Sequence, residues 1–307
     1  MAVIAKTTRD WEGTFGEWSK PPGKTEQERC ERAKKAIEDA IESDTTLEAR
    51  SVQTFVQGSY CNRTNVRQDS DVDVCVLCED VFFYKLPEGV TPQQVGLTSP
   101  ATYKFEKYKN DVERALINKF GHNSVSRGNK AFNISKNSSR VDADAAPCFS
   151  YRLYRFYNPY HFWYYEGTAL IADNTEHLLT NFPQQQYDNG VSKNNVTNRR
   201  FKKAVRIIKK LSNEMEDVGY TSAKNMSSFL IENLVWNSDN RWFDSQSLRA
   251  MTKSILAHLW KHTVEDITCK NWTEENGVKP LFRSTQKWKR TQVNQFLWDA
   301  WHYVENG

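Results

Sequence analysis

Two short runs of alternating apolar positions frame the first third of the chain. Val52-Gln53-Thr54-Phe55-Val56 alternates and then meets Gln57-Gly58-Ser59-Tyr60, the pattern of a strand entering a tight turn. Asp71-Val72-Asp73-Val74-Cys75-Val76-Leu77-Cys78 predicts a second strand. Its period of two puts Val72, Val74 and Val76 on the core face and both aspartates on the other. A short helix and loop are expected between them, over Cys61 to Ser70. A third run, Val141-Asp142-Ala143-Asp144-Ala145-Ala146-Pro147-Cys148, follows Phe132-Asn133-Ile134 and predicts a neighbouring strand. Asp142 and Asp144 share a face there, and periodicity does not choose between them.

Helical spacing marks the rest. Cys30, Ala33, Ile37, Ala40 and Ile41 form a stripe ending near Glu42, preceded by Thr25-Glu26-Gln27-Glu28, the pattern of a capping box. Tyr103 to Phe120 repeats the period, whereas residues 85–100, with Pro87, Gly89, Pro92, Gly96 and Pro100, predict a loop. Phe149 to Tyr165 is aromatic throughout and predicts a hairpin, its rings packing on pleated strands. His161 in that run has no partner pattern for metal or triad chemistry and is expected to be structural. After a Gln/Asn-rich connection over about 183–198, helices are expected at Asn198 to Leu211, Ser227 to Trp236, Ser245 to Val264 and Gln286 to Glu305. Trp236, Trp242, Trp260, Trp288, Trp298 and Trp301 are expected to pack between those helices. Residues 1–24 are expected to be irregular, with Trp11, Phe15 and Trp18 laid on the body.

Chemistry concentrates at the turn and the acids. Glycine at 58 lets backbone N–H groups approach a phosphate. Carboxylates sharing one face beside such a turn suit hard divalent cations that also bind substrate phosphates. An Asp-x-Asp pair alone carries little weight, since most are surface turns. Three acids on otherwise apolar strands, where unpaired carboxylates are costly to bury, carry more.

At these residues the chain resembles the polymerase-β-like nucleotidyltransferase superfamily, and within it the cGAS/DncV-like nucleotidyltransferases. The matching pieces are Gln57-Gly58-Ser59-Tyr60, the run Thr64 to Asp73, Asp144-Ala145-Ala146-Pro147-Cys148, and a basic helix followed by a serine, together spanning about residues 50–235. The resemblance implies an α+β fold with a mixed-sheet catalytic lobe and its N-terminal brace helix over 1–190. A helical lobe over 191–307 closes the nucleotide cleft. It selects Asp144, ahead of proline, as the third metal ligand beside Asp71 and Asp73, with Asp144 also the candidate proton acceptor. It assigns Gln57, Gly58, Ser59, Lys209 and Ser228 to substrate binding, the last two to the triphosphate, with Phe229 available to stack on a base. Lys202, Lys203, Arg206 and Lys210 are expected to be a solvated face.

The implied cofactor is Mg²⁺, two ions, with Mn²⁺ able to substitute. The implied substrates are nucleoside triphosphates, ATP or GTP foremost, joined into a cyclic di- or trinucleotide messenger of antiphage signalling. Alternative readings are a template-independent enzyme acting on RNA or protein, a linear oligonucleotide synthase, and a catalytically silent nucleotide-binding regulator, which the three acids argue against. Balanced charge, with 42 basic and 38 acidic residues for a net +4, argues against obligatory nucleic-acid binding. The lack of a His/Cys zinc cluster likewise implies that no nucleic-acid activator is required, and a regulatory protein partner is left open. With no run of 18 apolar residues, no membrane association is expected. The N-terminal apolar run is too short for a secretory signal. Six scattered cysteines, including a Cys75-x-x-Cys78 whose sulfurs point to opposite faces, suggest a reducing, cytoplasmic setting.

Overall fold

The computed structural model describes residues 9–66, 71–158, 161–175 and 177–307. Residues 67–70 of the acid-bearing motif, residues 1–8 of the N-terminal segment and the side chain of His161 lie outside the described residues. In chain order the structure runs through α1 (Trp11–Trp18), α2 (Lys24–Glu42), α3 (Thr45–Glu48), β1 (Val52–Val56), α4 (Gly58–Cys61), β2 (Val72–Lys85) and α5 (Phe105–Phe120). Strands β3 (Val125–Arg127), β4 (Phe132–Ile134), β5 (Ala143–Asn158), β6 (His161–Ile171) and β7 (Leu178–Asn181) follow. The chain closes with α6 (Pro183–Val196), α7 (Arg200–Asp217), α8 (Ser228–Trp236), α9 (Leu248–His262), α10 (Asp266–Cys269) and α11 (Arg290–Asn306).

The chain divides into two compact units. One comprises Gly23–Cys61 and Arg67–Gln184 and holds the sheet. Its strand order is β1-β2-β5-β4-β3, with β6 pairing β5 and β7. The sheet is mixed: β2 and β5 are parallel, while β1 lies antiparallel to β2 and β4 to β5. Val72, Val74 and Val76 are fully buried, in one core with Ile37 of α2 and Tyr108, Val112 and Leu116 of α5. The aromatic run forms the β5–β6 hairpin, as its aromatic content predicts.

The other unit comprises the chain up to Pro22, Asn62–Val66 and Gln185–Gly307. Its core joins Phe201, Val205, Ile208 and Leu211 of α7 to Leu230 and Leu234 of α8, Ile255 and Leu259 of α9, and Phe296 of α11.

Several elements depart from the sequence expectation. Residues 11–18 form a helix rather than an irregular segment, capped by the Asp10 carboxylate on Gly13 N. Its Trp11 and Phe15 enter the core of the C-terminal unit, so the division is not a single cut at 190/191. Residues 183–196 are also helical. Gly190 there lies so close to Glu275 that an added Cβ would sit 2.3 Å from its Oε1. Helix α2 starts at Lys24 with Gly23 as N-cap and no side-chain cap, so Thr25 lies inside it rather than capping it. Helix α4 begins at Gly58 itself, three residues earlier than expected. Among the tryptophans, Trp298 is exposed and packs on Trp260 and His302 at the surface. All six cysteines are free thiols, and among the described residues no helix is long and apolar enough to cross a membrane.

Candidate active site

Strand β1 delivers the chain to Gln57, whose backbone N–H donates to Asp73 O at 2.9 Å. Gly58 then turns with φ +69°. A Cβ at that position would meet Asp73 Oδ2 at 2.6 Å and Asp73 Cγ at 3.5 Å. Glycine is therefore required twice, for the left-handed backbone and for room beside the carboxylate. Ser59 follows in the first turn of α4.

The parallel register of β2 and β5 sets Asp73 directly opposite Asp144. Asp71 stands just before β2, exposed. The two candidate third acids diverge in their bonding. Asp142 accepts the Lys136 backbone N–H at 2.6 Å and lies 3.8 Å from the Lys136 ammonium, so its carboxylate is committed to the 135–142 loop. Asp144 accepts instead from the Asn133 amide on β4, with which it is paired in register.

Burial and mutual repulsion raise the proton affinity of this cluster. Burial, then the charges of Asp144 and Asp71, push Asp73 up to about 6. Asp71, though exposed as a residue, is raised by partial desolvation of its carboxyl and by Asp144 and Asp142, with Lys136 acting the other way. Asp144 is raised by burial and Asp142, and the Asn133 hydrogen bond acts against that. Among the described residues no cation acts on Asp73 or Asp144. An all-oxygen donor set whose carboxylates repel one another fits a hard divalent cation. Among the described residues no three His, Cys, Asp or Glu side chains close into a ready-made metal cage.

Lys209 and Ser228 belong to the C-terminal unit. Lys209 is 1% exposed, and its ammonium bonds Glu232 Oε2 at 2.7 Å and both oxygens of Thr64 at 3.2 Å. Asn62 Nδ2 and Thr64 Oγ1 each donate to the same carboxylate at 2.8 Å. Burial opposes the charge on Glu232, but Lys209 and these donors hold it below the ordinary glutamate range. The lysine expected to meet a triphosphate thus has its ammonium enclosed by a buried carboxylate and a threonine. Ser228 opens α8 and is exposed, while Ser227 is the N-cap, accepting from Leu230 N at 3.2 Å. Phe229 is 38% exposed and packs on Trp288 with ring centroids 6.2 Å apart. The basic face of α7 is not wholly solvated: Arg206 is 5% exposed and donates to Ser19 O and Arg63 O.

Among the residues of these networks that sequence reasoning missed are Asn133 and Glu232. Each left a signal, as a polar residue on an apolar strand and as a lone acid inside the run Phe229 to Trp236.

A glycine turn lies against one strand aspartate, with a second aspartate in register on the adjacent parallel strand, the arrangement expected from the resemblance to a nucleotidyltransferase lobe. Comparison with known proteins carries this to the family. Residues 188–305 match the cGAS/DncV-like nucleotidyltransferase C-terminal helical domain. A cyclic dipyrimidine nucleotide synthase of Legionella pneumophila is 41% identical over 96% of this chain and 98% of its own. One from Cecembia lonarensis is 38% identical over 98% and 100%. The solved structure of an Elizabethkingia meningoseptica cyclic dinucleotide synthase, with GTP and Apcpp, superposes with a TM-score of 0.76 at 32% identity, covering 95% of this chain and 98% of that one. The chain belongs to the cGAS/DncV-like nucleotidyltransferases and is an enzyme of that family.

Proposed function

We propose that this nucleotidyltransferase joins two pyrimidine nucleoside triphosphates into a cyclic dinucleotide, a second messenger of antiphage signalling, releasing pyrophosphate at each bond. The observation that supports the chemistry is the register of Asp73 with Asp144 beside the Gly58 turn. Support for the pyrimidines comes from the two relatives at 41% and 38% identity, both cyclic dipyrimidine synthases matched nearly end to end. That departs from the expectation that ATP or GTP is the foremost substrate.

Asp71, Asp73 and Asp144 would hold the divalent metal, two ions of Mg²⁺ or Mn²⁺, which would supply activation of the attacking ribose hydroxyl and neutralisation of phosphate charge. Gly58 keeps the space before Asp73 clear, and Gln57, Gly58 and Ser59 receive the donor's phosphates. Asp144 takes the hydroxyl proton as oxygen attacks the α-phosphorus and the bond to pyrophosphate breaks. A second attack within the linear intermediate closes the ring. Ser228 contributes its exposed hydroxyl to phosphate positioning.

The test is to supply the purified protein and Mg²⁺ with every pair of UTP, CTP, ATP and GTP and to identify products by mass. This reading expects cyclic dipyrimidines as the main products. Cyclic purine products of equal yield, or nucleotide transferred only to RNA or protein, would contradict it.

A further inference from the structure

Asn133 lies on β4 with Asp144 as its register partner on β5 and Ser126 as its partner on β3. Its neighbours Phe132 and Ile134 are 0% and 1% exposed, so the opposite face of the strand is anchored in the core and the direction of Asn133 is fixed. The turn behind it is equally set, with Gly128 N donating to Ala131 O at 2.9 Å. Asn133 Nδ2 donates to Asp144 Oδ1, and Asn133 is itself exposed, on the acid-bearing side of the sheet.

We propose that Asn133 is a positioning residue for metal binding, holding Asp144 through one carboxylate oxygen and leaving the other for the ion; this rests on the reading of Asp144 as a metal ligand. The choice of an amide has a physical reason. A lysine or arginine here would fix the carboxylate equally well, but its charge would compete with the metal for the same oxygens. An aspartate would add one more carboxylate to the charge already gathered beside Asp144. A neutral donor orients the ligand without altering the cluster's net charge. Partners in this outer position commonly change metal affinity or activity 10–100-fold when removed.

The test uses Asn133→Ala and Asn133→Leu, the second with asparagine's branching and heavy-atom count but unable to donate, with Asp144→Asn as reference. Mn²⁺ binding to the nucleotide-free protein is followed by electron paramagnetic resonance, beside steady-state turnover over a Mg²⁺ titration. Both Asn133 variants should bind Mn²⁺ about tenfold or more weakly. They should need correspondingly more Mg²⁺ for half-maximal rate, keep the nucleotide KM at saturating metal and melt near wild type. Wild-type metal constants in both variants, with Asp144→Asn defective, would overturn the role of Asn133 alone. Wild-type metal binding by Asp144→Asn would overturn the ligand assignment beneath it.

Discussion

Gly58 and Asp73 occupy one space: a methyl group on the first would press within 2.6 Å of the Oδ2 of the second. The backbone at Gly58, with φ +69°, adds a conformational cost of about 1–2 kcal/mol for any other residue. Gly58→Ala should therefore displace the Asp73 carboxylate more than it unfolds the protein. Turnover should fall by about 100-fold or more, with a loss of only a few degrees in Tm. Near wild-type kcat in a folded Gly58→Ala protein would break the link between this turn and the acids.

Asp73 carries a cost the fold bears for the site. Its folded-state pKa of about 6 exceeds the ordinary 3.8. The ionised form thus destabilises the metal-free protein above about pH 6, and the cost fades as pH falls through 6 toward 4. The shift corresponds to about 3 kcal/mol. Asp73→Asn should raise the Tm of metal-free protein at about pH 7.5, raise it less at about pH 5, and abolish turnover. A lower Tm than wild type at the higher pH would contradict this account of the cluster.

Asp142 and Asp144 are two residues apart and differ in their partners. Since Asp142 serves the Lys136 loop, Asp142→Asn should retain most activity, whereas Asp144→Asn should lose nearly all of it. Comparable rates for the two purified variants would show that the wrong acid has been chosen.

Lys209 is decided by stability as well as by kinetics. Removing one partner of a buried ion pair costs about 3–5 kcal/mol, so Lys209→Met should lower Tm steeply. Lys209→Met combined with Glu232→Leu should recover part of that loss, because no charge is left buried alone. A Lys209→Met protein of unchanged Tm but raised nucleotide KM would restore the triphosphate role read from the sequence.

Legibility followed the range of the interactions. The strands β1 and β2 and the turn at Gly58 are local patterns, legible from alternation and turn residues alone. Helix α6 was hidden because its composition is polar. What orders it is distant in sequence: Gly190 abuts Glu275, and Asn189 Nδ2 donates to Glu275 O at 2.7 Å. Arg206 and Lys209 look like solvated charges on α7, since their partners, Ser19 O and Glu232, are 187 and 23 residues away. Asn133 could be ranked only once the register of β4 on β5 was known.

The central claim is that Asp71, Asp73 and Asp144 drive two successive transfers that close a ring. Its most direct measurement is phosphatase treatment of products made from α-³²P-labelled UTP and CTP, comparing wild type with the Asp71→Asn, Asp73→Asn double variant. A phosphatase-resistant labelled product from wild type, absent from the folded double variant, is the predicted result. Equal yield of that product from both proteins, or only phosphatase-sensitive label from wild type, would contradict the account.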